Sequence, residues 1–166
     1  VGFGQVVVQD DQGRYREVVF VLIANFMAWC EKYKVNIVLN LHKAIGNYCD
    51  VAEDVSLLDD EKLQDGFVKL WMYIEKRYED KPRIVFELLN ELTGNSAESW
   101  NKLAWRTIES IRRLNKTRKI IIGGLGSNSV KRLNDIEVRE DENVIYTFHM
   151  YEPFAFTHQR GVLQTA

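Results

Sequence analysis

Short β-rich runs alternate with longer helical stretches along the chain, and this alternation constrains the fold more than any other feature. The runs are rich in branched or aromatic residues and are bounded by charged or Gly-containing segments, as strands are. We predict strands at Asn36–His42, Ile84–Asn90, Lys119–Gly123 and Val144–His149, and a weaker one at Gln5–Gln9. Strands separated by helices form a parallel sheet with right-handed crossovers, so the loops that follow the strands lie at one end of that sheet.

The stretches between these runs have helical periodicity. Residues 18–30 are nearly all apolar, but a membrane-spanning helix needs about 20 residues, so we predict a buried helix there. A second helix is expected from about Asp59, and a third around Trp100. Asn95 and Glu98 are spaced like a capping box, which predicts where the third helix begins.

Length and composition indicate one folded domain over residues 1–166. Apolar residues make up 46% and charged residues 28% of the chain, which are ordinary values for a globular protein. The formal charge of −2 comes from interleaved acidic and basic residues, so no basic surface is expected. We therefore predict neither nucleic acid nor a membrane as a partner.

Polar side chains are expected to share the inner face of the sheet, because side chains alternate across a strand. The residues placed on that face are Asn40, His42, Glu87, Glu91, Thr147, His149 and Tyr151. A sheet covered by helices on both sides would have two apolar faces, whereas a barrel holds inward polar groups near its carboxyl-end rim. The pattern therefore favours a barrel with its functional residues at the strand ends.

Three motifs carry a family resemblance: LHKAIG at 41–46, FELLNEL at 86–92 and FHMYEPFAFTHQ at 148–159. Together they resemble glycoside hydrolase family 5, the cellulase-type barrels, whose third, fourth and sixth strands carry such signatures. The resemblance extends from about Tyr15 to Gln159. It implies an α/β fold, the (β/α)8 TIM barrel, of which this chain would cover roughly the second to sixth βα units.

The resemblance implies a retaining endo-type hydrolase of internal β-1,4 bonds, with Glu91 as the general acid/base. Asn90 would hold the sugar hydroxyl next to the scissile bond, and His42, His149 and Tyr151 would line the cleavage subsite. A retaining enzyme needs a second carboxyl about 5–5.5 Å from the first. In this family that nucleophile ends the seventh strand, so we expect it outside this chain and expect little or no activity from these residues alone.

The expected partner is a β-linked polysaccharide or oligosaccharide, no cofactor is expected, and family resemblance suggests secretion. Leu92 stands where the family often has proline, and Ser127 where related enzymes often carry a sugar-stacking tryptophan. The sugar therefore stays open among β-glucans and mannan. A non-catalytic carbohydrate-binding or scaffold protein on a degenerate barrel is a second possibility. A flavodoxin-like phosphate-binding domain ranks last, because no glycine-rich phosphate loop follows the first strand.

Other functional-looking residues have structural interpretations. We predict that Glu87 is a buried, hydrogen-bonded structural carboxylate, because a buried charge must be paired. The three histidines lack the close spacing of common zinc sites, so no metal site is predicted. The four tryptophans all fall in predicted helices and are expected in the core or on helix surfaces. Phe154, Phe156 and His158 are better candidates for lining a cleft.

Overall fold

The computed structural model describes residues 1–10, 12–48 and 54–159. The strands within these ranges are β1 (Gly2–Gly4), β2 (Ile37–Lys43), β3 (Ile84–Glu87), β4 (Lys119–Ile122) and β5 (Val144–Tyr146). The helices are α1 (Gln5–Val8), α2 (Glu17–Tyr33), α3 (Glu61–Arg77), α4 (Ala97–Leu114), α5 (Leu125–Asn128) and α6 (Phe154–Thr157), with 3₁₀ segments at Ser56–Leu58 and Val130–Asp135. Strand and helix alternate as predicted.

The strands form a parallel sheet in the chain order β1-β2-β3-β4-β5. In a doubly wound sheet the strand order reverses at a switch point, whereas in a barrel each strand is added beside the previous one. The order fits consecutive βα units of a barrel and is not that of a flavodoxin-like sheet. The carboxyl ends of all five strands therefore lie on the same side.

The two faces of β2 differ as the alternation predicted. Ile37, Leu39 and Leu41 are buried in the core beneath the helices. Val38 lies on the opposite, inner face and is partly exposed, and Asn40 of that face is nearly buried. The inner face thus carries polar groups close to the strand end.

Helix α3 has clear start and packing signals. The Asp60 carboxylate caps it by accepting hydrogen bonds from the backbone N–H groups of Lys62 and Leu63. Phe67 and Trp71 are fully buried against the sheet, and the Trp71 indole donates to the carbonyl of Leu88 at 3.3 Å. This helix therefore contacts the chain immediately after β3.

Helix α4 begins one residue later than the predicted capping box implied. Its cap is Ser96, whose hydroxyl accepts a hydrogen bond from the Ser99 backbone N–H at 3.1 Å. The expected pair of Asn95 and Glu98 is therefore wrong. Serine and asparagine are comparable caps, so the backbone of the preceding loop, which the residue types do not specify, decided between them.

Helix α2 was predicted correctly as a helix but wrongly as a buried one. Phe20, Ile23 and Met27 lie in the core, because one stripe of a helix faces the sheet. Val19 and Cys30 are half-buried against the core, while six other large apolar side chains are exposed: Val18, Val21, Leu22, Phe26, Trp29 and Tyr33. A helix that is apolar all round needs neighbours on more than one side, and the sheet supplies only one of them.

The predicted strand at Gln5–Gln9 is wrong. The first strand is Gly2–Gly4, and residues Gln5–Val8 form the short helix α1. The Asn40 backbone N–H donates to the carbonyl of Val1 at 2.9 Å, which places the first strand earlier in the chain. Tertiary pairing thus overrides the weak strand preference of the three valines that follow Gln5.

A buried ion pair lies at the amino-terminal end of the sheet, opposite the predicted site. The guanidinium of Arg118 binds both carboxylate oxygens of Glu75, at 2.7 and 3.2 Å, and the two side chains are 2% and 0% exposed. The same guanidinium donates to the carbonyls of Tyr78, Lys81 and Ile84 at 2.7–2.9 Å. Arg118 therefore ties the end of α3 to the starts of β3 and β4.

Candidate active site

The predicted site residues lie at or just beyond the carboxyl ends of β2, β3 and β5. β3 and β5 end earlier than predicted, so Glu91 and His149 stand on the segments that follow them. Residues after Glu87 bond alternately to both neighbouring strands, since Leu88 donates to Ile121 and Asn90 to Leu41. The segment before Glu91 is thereby held from both sides without forming a regular ladder.

Glu91, His149 and Tyr151 form one cluster. The Nδ1 atom of His149 lies 2.8 Å from Oε1 of Glu91, and the Tyr151 hydroxyl donates to the same oxygen at 3.4 Å. The Glu91 and His149 side chains are 21% and 23% exposed, so the pair is shielded yet reachable from solvent. A carboxyl held in this way has a set orientation and can still meet a ligand.

The hydrogen bond between Glu91 and His149 tolerates a proton on either partner. It forms with the proton on Nδ1 and Glu91 ionised, or with Glu91 protonated and Nδ1 accepting. A group that serves first as an acid and then as a base needs this tolerance. The geometry therefore suits a residue that alternates between the two states.

The phenol of Tyr151 is held in its neutral form. Partial burial raises the pKa of the Tyr151 hydroxyl, and the nearby negative charge of Glu91 and the hydrogen bond to that carboxylate raise it further. Because a raised pKa favours the protonated phenol, Tyr151 remains a hydrogen-bond donor at neutral pH.

A second cluster joins β2 to β3 around Asn40. Its amide nitrogen donates to Oε2 of Glu87 at 2.6 Å and to Oδ1 of Asn90 at 3.2 Å. Its amide oxygen lies 3.2 Å from Nδ1 of His42. Glu87 is hydrogen-bonded as predicted, but it is half-buried and not fully buried. The alternation of the strand places Asn40 on the inner face, but its three partners become apparent only in the folded chain.

A left-handed turn joins the segment carrying Glu91 to the one carrying His149. Gly126, Ser127 and Asn128 all have positive φ, at 62°, 58° and 58°. The Ser127 backbone N–H donates to the carbonyl of Leu92 at 3.0 Å, and the carbonyl of Asn128 accepts from the N–H of His149 at 2.6 Å. The turn was missed from the sequence, although Gly and Asn are the residues that most readily adopt this conformation.

The turn leaves no room for a side chain at Gly123. The amide group of Asn128 occupies the position that a Cβ atom would take, and it accepts a hydrogen bond from the Gly124 N–H. We expect Gly123→Ala to lower the free energy of unfolding by about 1–3 kcal/mol, as overpacking does, measured by denaturant unfolding.

Gly66→Ala in α3 is the matched control for this change. Gly66 is helical, and the nearest atom to an added Cβ is Nε2 of Gln5 at 3.9 Å. The same substitution is therefore expected to stabilise the protein by about 0.5–1 kcal/mol. Equal stability of the two variants would show that the side chain of Asn128 does not restrict Gly123.

The loop after β5 presents aromatic groups beside the cluster. The rings of Phe154 and His158 stack at 3.9 Å, and Tyr151 meets His158 edge-on at 5.2 Å. Phe156 is largely exposed. A cleft of about 140 Å³ lies next to this loop and is lined by residues that include Ser127, Ser129, His149 and Tyr151. The aromatic residues singled out from the sequence thus lie near Tyr151.

The four tryptophans lie in the core or on a helix surface, as predicted. Trp71, Trp100 and Trp105 are buried, and Trp29 lies exposed on α2.

Within the described ranges, no group of three or more His, Cys, Asp or Glu side chains could hold a metal ion. The same part of the chain contains no helix long and apolar enough to cross a membrane. A cavity of about 300 Å³ reaches Ile37 and Ile84, the first residues of their strands, and so lies at the end opposite the cluster.

Parallel strands in barrel order, with a carboxylate, an imidazole and a phenol meeting at their carboxyl ends, define the class of (β/α)-barrel enzymes. The family comparison then specifies the class further. The model of the cellulase family, glycosyl hydrolase family 5, matches residues 1–165. The chain belongs to this family.

Curated relatives agree with the family. Endoglucanase C of Acetivibrio thermocellus is 36% identical over 153 residues, covering 92% of this chain and 45% of that protein. Cellodextrinase A of Ruminococcus flavefaciens is 35% identical over 156 residues, covering 92% and 46%. The chain thus spans less than half the length of these relatives.

Solved structures show the same fold. Endoglucanase Cel5A from Thermotoga maritima superposes with a TM-score of 0.83 at 27% identity, covering 99% of this chain and 52% of that one. A structure of the same enzyme with mannotriose gives a TM-score of 0.75 at 29% identity, covering 92% and 47%. A mutant form with cellobiose gives 0.80 at 27% identity, covering 97% and 54%. The predicted barrel fold is confirmed.

Proposed function

We propose that the protein is a retaining glycoside hydrolase that cleaves internal β-1,4 bonds of glucan, with Glu91 as its general acid/base. The observation that carries the proposal is the carboxyl of Glu91, held at the carboxyl end of the sheet by His149 and Tyr151. The endoglucanase and cellodextrinase names of its relatives, and the cellobiose bound to Cel5A, support a β-glucan or its oligosaccharides as substrate.

The proposed reaction has two displacements. In the first, a carboxylate attacks the anomeric carbon while Glu91 gives its proton to the departing glycosidic oxygen. In the second, Glu91 takes a proton from water, which attacks the same carbon and releases the sugar from the first carboxylate. The attacking carboxylate must lie about 5–5.5 Å from Glu91, and we assign it to a part of the barrel that this chain does not span.

The other site residues bind and orient the sugar. Asn90 precedes the acid/base and would bond the hydroxyl next to the scissile bond, while His42 and His149 would line the same subsite. Tyr151 stays a neutral donor and bonds Glu91, so it can steady the proton-transferring oxygen. By the family resemblance, its hydroxyl would also orient the attacking carboxylate. Phe154 and Phe156 supply apolar surface on which a sugar ring can pack.

The test is hydrolysis of cello-oligosaccharides by the complete gene product, with the anomeric form of the product followed by NMR. The proposal predicts internal cleavage with the β-anomer formed first, since two inversions retain configuration. First formation of the α-anomer would replace the double displacement by a single one. The 166-residue chain alone is expected to show little or no turnover, and measurable hydrolysis by it would contradict the placement of the nucleophile outside it.

A mannan substrate is the second candidate, because Cel5A has also been solved with mannotriose. Parallel assays on cello- and manno-oligosaccharides of equal length give the ratio of the two kcat/KM values, and a higher value for mannan would reassign the substrate. We also propose that the protein acts outside the cell, where a polymeric glucan is accessible.

A further inference from the structure

The side-chain amide of Asn40 is hydrogen-bonded to three other side chains, those of Glu87, Asn90 and His42. Asn40 and Glu87 are register neighbours on adjacent strands, so their side chains lie side by side on one face. Both ends of the Asn40 amide are engaged, the nitrogen by Glu87 and Asn90 and the oxygen by His42. Asn40 is only 9% exposed, so water offers it few alternatives.

The carboxylate of Glu87 determines which way the Asn40 amide faces. An ionised carboxylate only accepts hydrogen bonds, so the group 2.6 Å from it must be the amide nitrogen and not the amide oxygen. The second N–H of the same nitrogen points to Oδ1 of Asn90 at 3.2 Å. The oxygen of the Asn40 amide is therefore left for His42.

This arrangement determines the positions of protons on two predicted substrate-binding residues. An amide oxygen only accepts, so Nδ1 of His42 must carry a proton and, in neutral histidine, Nε2 must carry a lone pair. Asn90 uses its oxygen toward Asn40, so its NH₂ group remains the donor for other partners. His42 is exposed and can meet a ligand.

We propose that Glu87 and Asn40 are positioning residues: they hold His42 as a hydrogen-bond acceptor and Asn90 as a donor toward the hydroxyl groups of the substrate sugar. A sugar hydroxyl can both donate and accept a hydrogen bond. His42 would accept a hydrogen bond from one hydroxyl, and Asn90 would donate one to another. The inference rests on the proposed hydrolase function for its ligand. The proton arrangement itself is a property of the ligand-free protein.

The first test measures the His42 tautomer in the wild-type protein. Nitrogen-15 NMR of the complete gene product at about pH 8, where ordinary histidine is neutral, reports which ring nitrogen carries the proton. A His42→Gln variant identifies the His42 signals by their loss. We expect the tautomer protonated at Nδ1, and a tautomer protonated at Nε2 would overturn the proposal.

The second test removes the charge that sets the polarity. Gln has the shape of Glu but offers both a donor and an acceptor, so Glu87→Gln lets the Asn40 amide face either way. We expect the Nε2-protonated tautomer of His42 to appear and kcat/KM to fall by about 10-fold, the effect of about one hydrogen bond. Glu98→Gln, a change of the same chemistry on the exposed start of α4, is expected to alter neither.

The two readouts separate this inference from the proposed function. Hydrolysis by the wild type with an unchanged His42 tautomer in Glu87→Gln would overturn the positioning role alone. The expected tautomers in a protein that hydrolyses no β-glycan would overturn the proposed function and leave the proton arrangement standing.

Discussion

Replacing Glu91 by Gln in the complete gene product is expected to lower kcat on cello-oligosaccharides by about 10²–10⁴-fold, the usual contribution of a general acid/base. The amide has the shape of the carboxyl but cannot deliver a proton to the leaving oxygen. It can still accept the hydrogen bond from Tyr151, so the cluster should persist. Binding of the oligosaccharide, measured by calorimetry, is expected to change little.

Two comparisons make this result specific to proton transfer. In an aryl glycoside whose aglycone is an acidic phenol, the aglycone departs as phenolate without needing a proton. The first displacement of such a substrate should therefore be nearly as fast in Glu91→Gln as in wild type. Azide attacks without having to lose a proton and should restore the second displacement. A loss that is equal on both substrates and insensitive to azide would assign Glu91 to binding, and an unchanged rate would remove it from the mechanism.

Arg118→Met is expected to cause the largest loss of stability, about 3–5 kcal/mol, because it leaves a buried carboxylate without its cation. Glu75 would keep the amide of Asn115 at 2.9 Å as a partner, while the three backbone carbonyls that Arg118 serves would lose a donor. Since a domain is stable by only about 5–15 kcal/mol, this is a large share of the total. Urea unfolding monitored by circular dichroism measures it.

Lys76→Met is the matched control for this prediction. Lys76 pairs with Glu79 at 2.9 Å near the end of the same helix, but both side chains are largely exposed, so its loss should cost about 1 kcal/mol or less. The double variant Arg118→Met with Glu75→Met removes the unpaired buried charge but leaves the carbonyls without a donor. We therefore expect its free energy of unfolding to lie between those of Arg118→Met and the wild type. If Arg118→Met were as stable as Lys76→Met, the pair would not hold α3 to the sheet.

Strand and helix periods identified the architecture because they are local properties of the chain. Side chains repeat every two residues in a strand and about every 3.6 in a helix, so the order of elements follows from spacing alone. The errors arose where a local preference met a tertiary partner. The valines after Gln5 favour a strand, yet the pairing of β2 with Val1 places the strand at Gly2–Gly4 instead.

The candidate site was partly predictable for a similar reason. Parallel strands end on the same side, so the order of the elements alone leads us to expect His42, Glu91 and His149 near one another. The fold brings Glu91, His149 and Tyr151 into contact and links His42 to Asn90 through Asn40. The catalytic and binding roles of these residues stay predictions until the variants are measured.

By itself, the sequence determined the alternation of strands and helices, the inner polar face and the family motifs, because each depends on residues close together in the chain. Only the tertiary structure decided that Asn40 links Glu87 to His42, and that Arg118 forms a buried ion pair with Glu75 at the amino-terminal end of the sheet. Asn40 and Glu87 are 47 positions apart, and Arg118 and Glu75 are 43 apart. Hydrogen bonds over such separations form only after the strands have paired, and no local pattern specifies which donor will meet which acceptor.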